Sequence, residues 1–296
     1  MRVSGDRSQT RSRNRWWWYA MVALVLPCAA ACRTGRHGAP TQANRYVSLS
    51  PAITETLFAL GAGSSVVGVS DYCHYPSEVE SLPHLGSGYT PRYEAIAGMA
   101  PTTIFLESVN AETSRDLARV LDVKLMPWLT LEQVMASTQQ LGQLSGKVQA
   151  AERLVKAYER LMKTRVSAAS PRVLLVLAHT PGQLRDAWFI RKNSIHGRVL
   201  EAAGARNAAT DENIGAPHLS LEQVIRLDPD GIVILQSAAR IDDRLVDDWR
   251  RLSVLSAART GRIQEIAAPE VTIPGPRIIE LVQRLSPWVS AWSKVP

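Results

Sequence analysis

The strongest constraint on this chain is that it repeats itself. Around Glu94 it reads EAIAGMAPTTIFL, and around Glu222 it reads EQVIRLDPDGIVIL. In each copy an apolar residue (Ile96 or Val224) follows the Glu by two positions, and a proline (Pro101 or Pro229) follows it by seven. Ile104 or Ile232 then stands three residues beyond the proline, inside an apolar run of strand character. Farther upstream, Leu57 to Gly63 (LFALGAG) is echoed by Leu200 to Arg206 (LEAAGAR). A helix with an acid in its first turn, a Pro-bearing loop and a buried strand therefore occur twice in the same order. Two α/β lobes of similar topology are expected, and 296 residues can bury the cores of both.

Tyr46 to Pro76 opens the first lobe. Tyr46 to Leu49 reads as a strand broken at Pro51, and Ile53, Leu57, Phe58 and Leu60 follow with helical spacing. Ser50 or Thr54 is available to cap that helix, and Gly61 to Gly63 ends it. Val66 to Val69 is a second strand, and Tyr72 to Pro76 is an aromatic turn. Two loops, Ser50-Pro51 and Asp71 to Pro76, thus leave one sheet edge, and carboxyl-end loops are where α/β proteins bind ligands.

A helical pattern over 145–168 separates an N-terminal lobe (45–144) from a C-terminal lobe (169–296). Ser145 can cap it, and Val148, Leu154, Val155, Tyr158, Leu161 and Met162 form its apolar stripe. About twenty residues make a rod of roughly 30 Å, long enough to run beside both lobes. The chain restarts at Arg172 to Ala178, a buried-strand run.

The first 31 residues read as an export signal: five Arg against one Asp, then an uncharged stretch from Trp16 ending in Ala29-Ala30-Ala31. Cys32 follows directly and resembles the modified cysteine of a bacterial lipoprotein, although Ala29 stands where Leu or Val is usual. Cleavage without lipid, or a retained anchor, are the alternatives. Residues 32–44 lack periodicity and read as a flexible tether. Removal of residues 1–31 lowers the formal charge from +7 to +3, so much of the basicity belongs to targeting rather than to nucleic-acid binding. With Cys32 lipidated, Cys73 is the only thiol left and no intrachain disulfide forms.

The chain contains no nucleophile elbow and no P-loop, and Gly61-Ala62-Gly63 follows a helix rather than a strand. Its six histidines are scattered without metal-ligand spacing, which argues against a directly bound metal or a metal-dependent hydrolase. His74, between Cys73 and Tyr75, could approach a ligand's metal or be a plain loop histidine. Tyr72, Tyr75 and Tyr89 cluster in first-lobe loops, and Trp188 with Phe189 follows a strand of the second. Such rings suit a large, flat, partly apolar ligand, with core packing as the alternative for Trp188 and Phe189. Glu94 and Glu222 satisfy helix dipoles, or form a matched pair of carboxylates for a partner's arginines.

Val47-Ser48-Leu49-Ser50-Pro51, Thr54-Glu55, Leu60 to Gly63, Val67-Gly68-Val69, Tyr75-Pro76 and Pro274-Gly275-Pro276-Arg277 resemble the substrate-binding proteins of iron-siderophore and cobalamin ABC importers. The resemblance runs from Tyr46 to the C-terminus. It implies two Rossmann-like lobes joined by one long helix, a ligand cleft between them, and Glu94 and Glu222 engaging arginines of the permease. It also implies Tyr72 as a ligand contact, Trp188 near an aromatic contact, and Glu270 to Ile273, with Glu270 and Thr272, as a polar cleft loop. Tryptophans expected to line a corrinoid cleft are replaced by Gly88, Leu106 and Ala216. The expectation is therefore an exported, membrane-tethered monomer that does no chemistry, needs no cofactor or metal of its own, and delivers a corrinoid to the permease. Ferric siderophore or haem is the alternative cargo, for which Arg92, Arg185, Arg191 or Lys192 could serve.

Overall fold

The computed structural model describes residues 43–119, 121–177, 179–184, 187–209, 218–237 and 241–293. The export signal, Cys32 and the tether up to residue 42 lie outside them, as do Arg185 and Ala216.

In the N-terminal lobe the order is β1 (Tyr46–Ser48), α1 (Pro51–Ala59), β2 (Val66–Val69), α2 (Tyr93–Gly98), β3 (Thr103–Glu107), α3 (Ala111–Leu117), β4 (Val123–Met126) and α4 (Leu131–Leu144). Ser50, not Thr54, caps α1: its Oγ accepts the Ile53 N–H at 3.3 Å while Pro51 fills the first turn. Gly61, at φ +76, lets the chain leave the helix, with the Ala62 N–H returning to the Leu57 carbonyl. The helix α5 (Val148–Leu161) follows.

The C-terminal lobe continues with β5 (Arg172–Leu177), β6 (Ala187–Trp188), α6 (Ile195–Ala202), β7 (Arg206–Asn207), β8 (His218–Leu219), α7 (Leu221–Leu227), β9 (Gly231–Gln236), α8 (Asp243–Arg250), α9 (Ser256–Arg259), β10 (Ile263–Ala267) and α10 (Ile278–Trp292). The strands β6 and β8 form a separate antiparallel ribbon.

The repeat is a repeat of topology. The first sheet is ordered β2-β1-β3-β4 and the second β7-β5-β9-β10, all parallel. In each, the first strand is central, the second strand takes one edge and the third and fourth extend the other side. Val47 pairs with Gly68 and Ile104, and Val173 pairs with Asn207 and Gly231. The matched prolines follow Ala100 (φ 44) and Asp228 (φ 38), the two non-glycine residues with positive φ among those described. Asp228 is held there by Ser256, whose backbone N–H and hydroxyl donate to its two carboxylate oxygens at 2.6 and 2.7 Å.

Alternation along the strands divides the core. Val173 and Leu175 join Tyr46, Phe105, Tyr158, Leu285 and Trp292 in one apolar cluster that runs through both lobes. Leu174 and Val176 face a second cluster confined to the C-terminal lobe, and Val47, Ile104 and Leu106 face a third in the N-terminal lobe. The lobes are therefore packed on common ground rather than strung on a bare connector.

The connecting helix is shorter than the 145–168 expected. Ser145 closes α4, its hydroxyl donating to the Leu141 carbonyl at 2.6 Å. Gly146 at φ +68 then reverses the chain, and Lys147 N–H returns to the Gly142 carbonyl. At about 1.5 Å per residue, Val148–Leu161 gives roughly 21 Å. It pairs with α4 at Gly142, where an added Cβ would stand 2.5 Å from that of Ala151. Residues 163–170 are not helical.

His196 on α6 is buried, with Nε2 at 3.0 Å from the Val271 carbonyl. Burial pushes its pKa down to about 4. The folded state therefore refuses a proton that the unfolded chain accepts below about pH 6.5, and stability falls as pH drops towards 4, by up to roughly 3 kcal/mol. Urea unfolding at about pH 7.5 and about pH 4.5 should show a smaller loss for His196→Gln than for the wild type. A difference between the two proteins that does not change with pH would refute this.

Candidate ligand-binding cleft

Loops at the carboxyl ends of the two sheets meet along a seam. Ahead of α4, the Trp128 indole N–H donates to the Pro274 carbonyl at 2.8 Å, and the Leu129 carbonyl accepts the Ile195 N–H at 2.8 Å. Arg198 on α6 lies 3.6 Å from Glu132 on α4. The heart of the seam is a chain of four charges. Arg277, ahead of α10, grips Glu55 of α1 with two hydrogen bonds, Nη2 to Oε1 at 2.5 Å and Nε to Oε2 at 3.0 Å. Its Nη1 is 3.5 Å from Glu270, which also takes a 2.6 Å bond from Arg284. Its Cζ stands 3.9 Å above the Tyr75 ring. Gly275 permits the approach, since a Cβ there would lie 2.8 Å from Glu55 Oε2.

These contacts correct several expectations. Glu270 is not a free carboxylate in a polar cleft loop; it is buried and held by Arg277 and Arg284. Thr272 ends the same turn and is half-buried. Phe189 is 4% exposed within the C-terminal core, because alternation along its extended segment turns it inward and Trp188 outward. Ser50 is 2% exposed and offers a ligand no surface; its hydroxyl proton goes to Glu107 Oε1 at 2.5 Å. Leu106 is fully buried beneath α2 and α3, so a larger ring there would enter the core and not the cleft. Gly88 is packed tightly, its Cβ position lying 2.6 Å from Asn110 Nδ2.

The other predicted rings are exposed. Tyr72 and Tyr89 show 66% and 72% of their surface, Tyr75 is partly covered by Arg277, and Pro51 is half-buried at the start of α1. Trp188, 45% exposed, stands on the β6/β8 ribbon against His218, ring centroids 3.9 Å apart. The Ile190 N–H bond to the Leu175 carbonyl ties this ribbon to β5. Cys73 is buried between Thr54 Oγ1 (3.2 Å) and Ser70 Oγ (3.3 Å), and burial pushes its thiol up, which leaves it unreactive. His74 is exposed, with the His84 ring 6.4 Å away, and no group of three metal-binding side chains is found among the described residues.

Among the described cationic candidates, Arg92 is engaged and Lys192 displaced. Arg92 bonds Asp71 at 2.9 Å and the His84 carbonyl. Lys192 lines a hollow with Arg172 and Arg206, at the amino ends of β5 and β7 and away from the carboxyl-end loops. Arg191 is half-buried. Glu94 and Glu222 are exposed in the first turns of the matched helices α2 and α7, and neither forms an ion pair among the described residues.

Sequence reasoning missed a pocket of about 280 Å³ lined by Glu107, Ser108, Val109, Pro127, Trp128, Leu129 and Gln133. Its signal was present: β3 is an apolar strand that ends in a carboxylate. Burial pushes the Glu107 carboxyl up, against the pull of the Ser50 hydrogen bond.

Residues 47–269 match the family described as periplasmic binding proteins. The chain belongs to that family. Its members are binding proteins, not a class of enzymes. A vitamin B12-binding protein of Salmonella typhimurium is 31% identical, covering 75% of this chain and 80% of its own. An ABC transporter substrate-binding lipoprotein of Bacillus subtilis is 27% identical over 82% and 78%. Among solved structures, a periplasmic haem-binding protein of Pseudomonas aeruginosa superposes with a TM-score of 0.68 at 26% identity, covering 84% and 92%. The periplasmic vitamin B12-binding protein of Vibrio cholerae, at 20% identity and TM-score 0.69 over 85% and 98%, shares the fold. No helix among the described residues is long and apolar enough to cross a membrane.

For this binding protein, the four-charge seam should dominate lobe packing. Arg277→Met leaves Glu55 buried without a partner and should cost about 3 kcal/mol or more, whereas Arg277→Met with Glu55→Leu should recover most of that. Urea unfolding of both singles and the double measures it; strictly additive losses would show that the pair does not couple.

Proposed function

We propose that this protein is the exported substrate-binding component of an ABC importer, and that its cargo is a corrinoid such as cobalamin. The observation that carries the reading is the pairing of exposed rings with neutralised cations. Tyr72, Tyr75 and Tyr89 offer aromatic surface on carboxyl-end loops and Trp188 on the β6/β8 ribbon, while Arg277 and Arg92 are tied to carboxylates. Such a surface favours a broad, amide-bearing macrocycle over a cargo that needs arginines for its carboxylates. The names of the relatives point the same way.

Residues 1–31 direct export, Cys32 carries the lipid that holds the chain at the membrane, and the molecule acts as a monomer without a resident cofactor or metal. Glu94 and Glu222, one per lobe at equivalent places, dock onto arginines of the permease. Haem or a ferric chelate is the second reading, favoured by Tyr72 and His74 exposed on one turn, where phenolate or imidazole could reach a ligand's iron.

Titration of the mature protein with cyanocobalamin, haemin and ferric siderophores, followed by calorimetry and visible spectra, separates the readings. Cobalamin should bind at about micromolar concentration or tighter, and absence of binding there would end the corrinoid reading. Reversal of both Glu94 and Glu222 to Lys should abolish transport while leaving cargo affinity within about twofold. A loss of cargo affinity in that double variant would place the acids in the cleft instead.

A further inference from the structure

The pocket beside the seam has three polar side chains in its lining, Glu107, Ser108 and Gln133, and the first and last each have one polar atom committed and one open. Ser50 has a single hydroxyl proton, given to Glu107 Oε1, while its oxygen accepts the Ile53 N–H. Glu107 Oε2 accepts no hydrogen bond among the described residues. Gln133 closes the capping box of α4, its Oε1 accepting the Leu129 and Thr130 N–H groups at 2.9 and 3.2 Å. That fixes the orientation of the amide and leaves Nε2 as a donor without an acceptor among the described residues. Around them stand Val109, Trp128 and Leu129. A pocket that offers one open acceptor and one open donor, with the Ser108 hydroxyl able to serve as either, suits a neutral group that both donates and accepts, and a primary carboxamide does so with its N–H and C=O.

We infer that the Glu107–Gln133 pocket is a carboxamide subsite, selecting cargo that presents a neutral primary amide over cargo that presents a carboxylate. This rests on the corrinoid reading and deepens it. A corrinoid rim carries carboxamide arms, whereas haem carries propionates and many ferric chelates present anionic oxygens. A carboxylate entering here would meet the Glu107 carboxylate as a like charge. The raised pKa of the Glu107 carboxyl agrees, since it marks an anion short of donors. Trp128, anchored across the seam to Pro274, fixes one wall.

The test uses cyanocobalamin, cobyric acid (amide arms) and cobyrinic acid (the same macrocycle with carboxylates in their place). The wild type should prefer cobyric to cobyrinic acid by about tenfold or more, the worth of a hydrogen bond to a charged group. Glu107→Gln should narrow that preference about tenfold by admitting cobyrinic acid. Gln133→Glu keeps the capping acceptor and removes the donor, so it should weaken cobyric acid binding about tenfold with Tm unchanged. Should Glu107→Gln fail to fold, Gln133→Glu carries the decision alone. Variants that retain the wild-type preference while cyanocobalamin still binds overturn the subsite and leave the corrinoid reading standing. A wild-type protein that binds no cyanocobalamin overturns both.

Discussion

Arg277 is the residue on which the arrangement of the two lobes depends. A guanidinium cannot shed its proton, so once removed from water it must be surrounded by acceptors. Here it has Glu55 from one lobe, Glu270 from its own and the face of Tyr75 above it. Glu55 and Glu270 are themselves buried, and Arg284 completes an alternating, neutral set. Displacement of either lobe would leave a charge without its partner, and the apolar cluster shared by Tyr46, Tyr158, Val173 and Trp292 would have to open as well. Specific charge pairing and non-specific burial thus fix the same geometry.

The duplicated scaffold makes an unsymmetrical cleft. Strand order, the left-handed residue before each proline and the acid in each matched helix are the same in both lobes. The loops are not. Tyrosines and the Glu107–Gln133 pocket belong to the N-terminal lobe, while the C-terminal lobe offers Trp188 on an added ribbon. Parallel strands fix where loops emerge without dictating their content. A shared fold therefore leaves room for cargoes as unlike as those named for its relatives.

The architecture was legible in the sequence because it rests on periodicity and punctuation. The repeat around Pro101 and Pro229 foretold the matched strands, and the apolar run after Arg172 was a central strand. The apolar stripe from Val148 to Met162 matches the connecting helix, but its expected ends do not: Ser145 closes the helix before it rather than capping it, and Gly146 and the residues after Met162 carry the stop. Site residues were less legible. Ser50 and Phe189 lie beside the cleft in sequence but face inward, which depends on the phase of a short segment. The link between Glu55 and Arg277 spans 222 positions and leaves no local pattern. Gln133 stands three residues after Thr130 in a capping box, and its open amide shows only once its oxygen is occupied by the Leu129 and Thr130 N–H groups.

Charge placement bears most directly on cargo. The chain from Cys32 onward has a formal charge of +3, yet among the described residues the cations nearest the seam are paired. Arg277 and Arg284 are spent on Glu55 and Glu270, Arg92 on Asp71, and Lys192 with Arg172 and Arg206 lies at the opposite ends of the strands. An anionic cargo would gain little attraction from these paired cations and would meet the Glu107 carboxylate as a like charge, so Coulomb energy works against it. A neutral macrocycle avoids that cost and can still use the exposed rings and the open hydrogen-bonding atoms. Discrimination then comes from groups left unpaired by the wrong cargo, which is how a fixed site achieves selectivity without moving.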